Sequence, residues 1–233
     1  MYRRLSGRRC VQHALGFAVC QHWSVRPRHI VGLTGAAAVA IWAIQFAPLP
    51  IAQAAPCPDA EVVFARGTTE APGLGPTGDA FVDALRSRVG AKSLGVYAVD
   101  YPATTDFPTA VVGITDARTH VLATAANCPR TKVVLGGYSQ GAGVIDLSTA
   151  AMPPVVAEHV AAVALFGGPR SAFADSLSAG PLPSIGPLYV AKTIDLCVPN
   201  DPICSDGRDM RAHVAYIETG MVNQAATFAA NRT

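Results

Sequence analysis

Thr131-Lys132-Val133-Val134-Leu135-Gly136-Gly137-Tyr138-Ser139-Gln140-Gly141-Ala142-Gly143 is the stretch from which the rest of the chain is read. A β-branched apolar run ends in Gly-Tyr-Ser-Gln-Gly, and small residues open the next segment. This is G-x-S-x-G between a predicted strand and a predicted helix, the setting of a serine held on a sharp strand-to-helix turn. So tight a turn places Ser139 in strained dihedrals and leaves no room for side chains two residues before and after it. Gly137 and Gly141 meet that demand. A glycine-rich turn with a surface serine is the plain alternative, since short motifs recur by chance, and the strand–turn–helix context weighs against it.

Working outward, Glu61 to Ala65 reads as a buried first strand ending at Arg66-Gly67-Thr68-Thr69. Asp79 to Val89 carries Phe81, Val82, Leu85 and Val89 at helical spacing. Gly95 to Val99 is a second strand and Thr109 to Ala126 a second helix. After Ser139 a helix runs from Ala142 to about Ala151, stopped by Pro153-Pro154, and Val160 to Phe166 is another apolar strand. A loop rich in Gly, Pro and Ser spans Gly167 to Pro187, a strand covers Lys192 to Leu196, and Val214 to Asn231 reads as one terminal helix. Strands that alternate with helices and are apolar throughout signal a parallel sheet covered on both faces. One domain with a well-filled core fits 233 residues, half of them hydrophobic.

The net charge of +2 conceals a segregation. Six arginines and no acid precede Ala55, which leaves 12 of the 18 basic residues against 16 acidic ones in the remainder. That balance provides no basic patch for nucleic acid. Residues 1–54 read as a leader: Arg26 and Arg28 precede an apolar run from Ile30 to Ala47, and Ala52-Gln53-Ala54 is an A-x-A cleavage site. The expected mature form, 55–233, is then secreted and has no membrane span. Export leaves Cys57, Cys128, Cys197 and Cys204, an even count that implies two disulfides. Of three connectivities, Cys57–Cys128 with Cys197–Cys204 is the natural choice. A zinc site is the rival, but the spacings give one close pair and no C-x-x-C.

A serine hydroxyl needs a general base, and the base needs a carboxylate to fix its tautomer. Three histidines lie beyond the leader. His120 lies inside a helix and reads as a surface or packing residue. His159 precedes the Val160 strand, at the end away from the edge where a doubly wound sheet binds ligands. His213 comes after the last strand and a loop, in the chain order Ser, acid, His. For the acid, Asp195, Asp201, Asp206 and Asp209 all lie in range. Asp195 is within a strand, and Asp206 and Asp209 sit in a loop that reads as solvated. Asp201, bracketed by Cys197 and Cys204 and flanked by Pro199 and Pro202, is the carboxylate best held still. Two N–H donors for a developing oxyanion are expected from Gln140, after the serine, and from Thr68, after the first strand.

With these residues assembled, the chain resembles the cutinases, most closely the secreted cutinase-like esterases of mycobacteria. The resemblance rests on Cys-Pro-Asp-Ala-Glu at 57–61, Phe64-Ala65-Arg66-Gly67-Thr68, Gly136 to Gly141, Cys197-x-x-x-Asp201-Pro202-x-Cys204 and His213-Val214-x-Tyr216. It implies a three-layer α/β-hydrolase with a five-stranded parallel sheet and no true lid. It also implies Ser139 as nucleophile, Asp201 as acid, His213 as base, and Thr68 with Gln140 at the oxyanion hole. No metal or cofactor is implied, and the expected partner is an ester substrate met by a monomer. Fungal cutinases carry bulky apolar residues before the histidine, whereas Ser205 to Arg211 is charged here, which favours short to medium acyl chains over a waxy polyester. A lipase or phospholipase A, and a secreted envelope or antigen protein with a vestigial site, are the alternative readings.

Overall fold

A computed structural model describes residues 56–233 apart from Ala179 and Pro183, together with the backbone of Gly7–Gln12 and Ala18–Trp23. The chain divides into two units, Met1–Ala52 and Gln53–Thr233. In the first, Gly7–Gln12 pairs antiparallel with Ala18–Trp23. The apolar run and cleavage site expected between Ile30 and Ala54 lie outside the described residues.

The second unit is built on five parallel strands: β1 (Ala60–Ala65), β2 (Leu94–Ala98), β3 (Lys132–Tyr138), β4 (Val160–Phe166) and β5 (Thr193–Leu196). Their spatial order is β2-β1-β3-β4-β5. Val62 and Phe64 of β1 belong to one buried cluster, Val63 and Ala65 to the other, as the two-residue period of a strand requires. Both faces are therefore apolar and both are covered. Helices α1 (Gly75–Arg86) and α7 (Met221–Ala230) pack together over the first face. There Phe64, Phe81 and Phe166 form a triangle with ring centroids 5.8–6.4 Å apart. Helices α2 (Val111–Asn127) and α3 (Gln140–Ala150) cover the second. Each fully buried Val, Leu, Ile or Phe stabilises the fold by about 1.5–3 kcal/mol relative to exposure.

Three expectations are corrected. Helix α1 starts at Gly75, four residues early, because Pro76 sits in its first turn, where a missing N–H costs nothing. The segment from Gly167 to Pro187 is not all loop: Ser171 accepts the Ala174 N–H at 3.0 Å and caps a short helix, α5 (Ala172–Leu177). The terminal helix is shorter than Val214–Asn231: α6 (Met210–His213) ends before that span, residues 214–220 form turns, and α7 begins only after Gly220, whose φ is 77°. Between α3 and β4, where the prolines stop the longer helix, runs the one-turn helix α4 (Pro154–Ala157).

His120 has a structural role. It stacks on Tyr97 with centroids 3.5 Å apart, and its Nε2 lies 3.1 Å from Glu61 Oε2, which also accepts from Thr124. Burial works against the Glu61 charge, but these partners outweigh it and hold the carboxyl below its ordinary range.

Cys57 is bonded to Cys128 and Cys197 to Cys204. The first bridge spans 71 residues and encloses β1, α1, β2 and α2. By the loop-length relation it stabilises the fold by about 4 kcal/mol. Replacing both cysteines by serine is expected to lower the melting temperature by roughly ten degrees or more, from the usual size of such a loss in a domain of this length. Turnover of the folded fraction should change little; an unchanged melting curve contradicts this.

Candidate active site

Strand β3 ends at Tyr138, the chain reverses at Ser139 (φ 55°, ψ −121°), and α3 begins at Gln140. The Ser139 N–H donates to Phe166 O at 2.9 Å, which ties the turn to the end of β4. A Cβ at position 137 would lie 2.6 Å from Gly141 C, and one at 141 would lie 2.5 Å from Ala65 C. The second clash is with the end of β1 rather than with β3, so Gly141 lets the neighbouring strand close against α3. Strand β1 has β2 on one side and β3 on the other, and the crevice at their carboxyl ends is the switch point where such sheets bind ligands.

His213 ends α6, the turn that Asp209 caps by accepting the Arg211 N–H at 3.0 Å. Its Nε2 is 2.9 Å from Ser139 Oγ and its Nδ1 is 2.8 Å from Asp201 Oδ2. Tyr138 holds the histidine from the nucleophile side. Its hydroxyl donates to His213 O at 2.8 Å, and its ring stacks on the imidazole with centroids 5.1 Å apart. Asp201 is fully buried. The Ile203 N–H donates to its Oδ1 at 2.8 Å and the Tyr216 hydroxyl to its Oδ2 at 2.5 Å. Burial raises the cost of the charge, yet the bonds from His213, Tyr216 and Ile203 outweigh it and keep the carboxyl below its usual range. The Tyr216 hydroxyl is pushed well above its own range, through burial first and the hydrogen bond to Asp201 next.

The other candidates lie elsewhere. His159 stands at the opening of β4, where its carbonyl accepts the Val133 N–H. Asp195 bonds Arg170 Nη2 at 2.9 Å. Arg170 Nη1 also lies 2.8 Å from Asp146 Oδ2 as an ion pair. Burial pushes the Asp146 carboxyl up to about 6. Asp206 is exposed. The sulfurs of Cys197 and Cys204 lie near the Asp201 carboxylate, but they are bonded to each other and offer a metal no thiolate.

Thr68 and Gln140 are brought together: Thr68 Oγ1 donates to Gln140 Oε1 at 3.3 Å, and Gln140 Nε2 donates to Thr104 O at 3.2 Å. Gln140 opens α3, where the first N–H groups have no acceptor inside the helix. Sequence reading misses how the Thr68 loop is fastened. Arg66 is buried, and its guanidinium donates to Glu70 O at 2.9 Å, Tyr101 O at 2.5 Å and Val99 O at 3.4 Å. The signal is an arginine placed directly after a buried strand. Tyr138 and Tyr216 have no role in the sequence beyond their places in motifs, and the structure supplies one for each.

Ser139 and His213 stand in the wall of a cavity of about 550 Å³. Its lining is otherwise mostly apolar, drawn from Phe107, Ile114 of α2, Val144 and Leu147 of α3, Leu177 of α5 and Ile203.

Five parallel strands in this order, helices on both faces and a serine on the turn after β3 define an α/β-hydrolase. The family model described as Cutinase matches residues 56–233, and the chain belongs to the cutinase family. It is a carboxylic ester hydrolase. It is 57% identical over 210 residues to "Carboxylesterase Culp1" of Mycobacterium tuberculosis, covering 88% of this chain and 97% of the relative. To "Phospholipase Culp4" of the same species it is 47% identical over 215 residues, covering 88% and 92%. Among solved structures it is similar to a Trichoderma reesei cutinase in complex with a C11Y4 phosphonate inhibitor, at 32% identity and a TM-score of 0.62, covering 76% and 77% of the two chains. The catalytic core domain of acetyl xylan esterase from Trichoderma reesei shares the fold, at 23% identity and a TM-score of 0.63, covering 76% and 100%.

The Tyr216 hydroxyl sets up a test with a defined sign. Its bond to Asp201 helps depress the folded-state carboxyl, so its stabilisation is present above the unfolded value and fades as pH falls through the folded one. Tyr216→Phe is expected to cost about 1.5–3 kcal/mol at pH 7, as for hydrogen bonds to charged groups. The cost should shrink below about pH 4, where the unfolded carboxyl protonates. A penalty that persists undiminished at low pH assigns the loss to packing.

Proposed function

We propose that the protein hydrolyses carboxylic esters through an acyl-enzyme formed on Ser139. His213 Nε2 takes the proton as Ser139 Oγ bonds to the ester carbonyl carbon, and it returns that proton to the departing alcohol. Asp201 accepts a hydrogen bond from Nδ1–H throughout without taking the proton, which fixes the tautomer and stabilises the imidazolium. The N–H groups of Thr68 and Gln140 receive the oxyanion. Water then adds to the acyl carbon, its proton passing to His213 and on to Ser139 Oγ as the acid leaves. The observation that carries this reading is the unbroken chain Ser139 Oγ–His213–Asp201, at 2.9 and 2.8 Å, in the wall of an apolar cavity. Such spacing favours a working site over a vestigial one.

The acyl group occupies the 550 Å³ cavity, and the charged stretch from Ser205 to Arg211 beside it favours short to medium chains. Residues 1–54 act as an export leader, and the two disulfides suit an oxidising compartment outside the cytosol. Among the described residues, no helix is long and apolar enough to cross a membrane.

Ser139→Ala should lower hydrolysis of a nitrophenyl ester by about 10⁴-fold or more with an unchanged melting curve. His213→Ala should match it, while His120→Ala and His159→Ala leave the rate of the folded enzyme within a few-fold. Residual turnover near that of the parent in either triad variant refutes the assignment. Across esters from two to sixteen carbons the rate should peak at short to medium length; best activity on the longest, with activation at an oil–water interface, contradicts the chain-length reading.

The seven-residue bridge supplies a separate check. Its chain-entropy contribution is about 2–3 kcal/mol, but it closes the step that carries Asp201. Cys197→Ser with Cys204→Ser should therefore cut turnover at least tenfold, with a smaller melting shift than loss of the Cys57–Cys128 bridge. Full turnover in that variant removes the bridge from the mechanism.

A further inference from the structure

Beside the apolar cavity lies a second cleft of about 500 Å³ with walls of different character. Met210, 52% exposed, stands in the wall of both. One side of the cleft is Phe173 of α5, 50% exposed. The other is Ser205, Asp206 and Arg208 from the loop between β5 and α6. Among the described residues, the exposed side chains of Asp206 and Arg208 make no ion pair or hydrogen bond, although Arg211 nearby pairs with Asp209.

The backbone that presents these two charges is held stiffly. The Ser205 N–H and hydroxyl both donate to Asp201 O, at 3.0 and 2.6 Å, and the Gly207 N–H donates to Ser205 Oγ at 3.2 Å. The Asp209 N–H donates to Asn200 O at 3.0 Å, and Cys204 is bonded to Cys197. The main chain that carries Asp206 and Arg208 is thus fixed before a ligand arrives, so the ordering cost falls on the side chains alone.

We propose that this cleft is the alcohol-side subsite and that it takes a neutral polyhydroxyl group, the sugar or polyol part of an acylated polyol. This rests on the ester hydrolysis proposed above. A hydroxyl both donates and accepts, so neighbouring hydroxyls donate to Asp206 and accept from Arg208. The C–H face of the ring lies on Phe173. A phosphodiester headgroup suits the cleft less well: among the described residues Arg208 is the one cation in its lining, and Asp206 stands there with it. With an acyl chain in the first cavity and the ester carbonyl at Ser139, the polyol passes Met210, which the two cavities share, into the second.

The test compares octanoyl glucose with ethyl octanoate, which share an acyl chain. The parent enzyme should favour the sugar ester in kcat/KM, and Asp206→Ala, Arg208→Ala and Phe173→Ala should each reduce that preference about tenfold, chiefly through KM. Loss of overall stability lowers both substrates together and leaves the ratio constant; a constant ratio in all three variants overturns the proposal. So does preferred cleavage of dioctanoyl phosphatidylglycerol that depends on Arg208 and not on Asp206. Octyl glucoside, kept below its micelle threshold, provides a readout independent of chemistry. It should bind the Ser139→Ala protein and lose affinity when Asp206→Ala or Arg208→Ala is added. Binding of this kind without turnover of any ester supports the cleft and refutes the esterase reading, whereas turnover of ethyl octanoate without such binding does the reverse.

Discussion

A buried negative charge governs this molecule. Asp201 has no exposed surface, and a carboxylate in that position is tolerable only where donors surround it. The three that do so are an imidazole, a phenol and a main-chain N–H, from His213, Tyr216 and Ile203. Each commits a different piece of chain. His213 brings α6 across the sheet, Tyr216 brings the turn that leads into α7, and Ile203 holds the step closed by Cys197 and Cys204. The Arg170 and Ser171 N–H groups both donate to Ile203 O, so the segment entering α5 is drawn in as well. Meeting the needs of one carboxylate thus organises the whole carboxyl-terminal third of the site.

The nucleophile side is ordered by backbone geometry instead. Ser139 occupies a conformation that side chains rarely adopt, and it is held there by neighbours that could not be larger. Tyr138 joins the two halves, because it precedes the serine in sequence and bonds the carbonyl of the histidine in space. The opposite wall, from Arg66 to Glu70, depends on a guanidinium that directs its donors to main-chain carbonyls rather than to an acid.

Much of this is legible in the sequence where a residue type has one job. Glycines around a serine, a carboxylate between paired cysteines and prolines, and apolar runs between helical periods each point to one arrangement. The parallel sheet and both disulfides accord with them, and Ser139, His213 and Asp201 do meet. The parts that escape reading depend on three-dimensional neighbours. Tyr216 looks like any core tyrosine until Asp201 is seen beside it. Ser171 reads as loop composition because a six-residue helix leaves too little periodicity to register. The terminal helix reads as starting at Val214 because apolar positions keep a helical period from there, whereas residues 214–220 turn and the helix begins at Met221. The cleft between Phe173 and Arg208 is assembled from segments far apart in the chain, and no local pattern announces it.

The close approach of β1 to α3 has a bearing on how such a chain can change over generations. At position 141 even one methyl group would meet the main chain of another element, and main chain cannot rotate aside as a side chain can. Position 137 is closed in the same way by α3 itself. Drift at these two points is therefore barred whatever the ester being cleaved, while the apolar side chains lining the first cavity have no such main-chain clash. A lineage built on this scaffold can reshape what it binds many times over, while the turn that carries Ser139 keeps its two glycines.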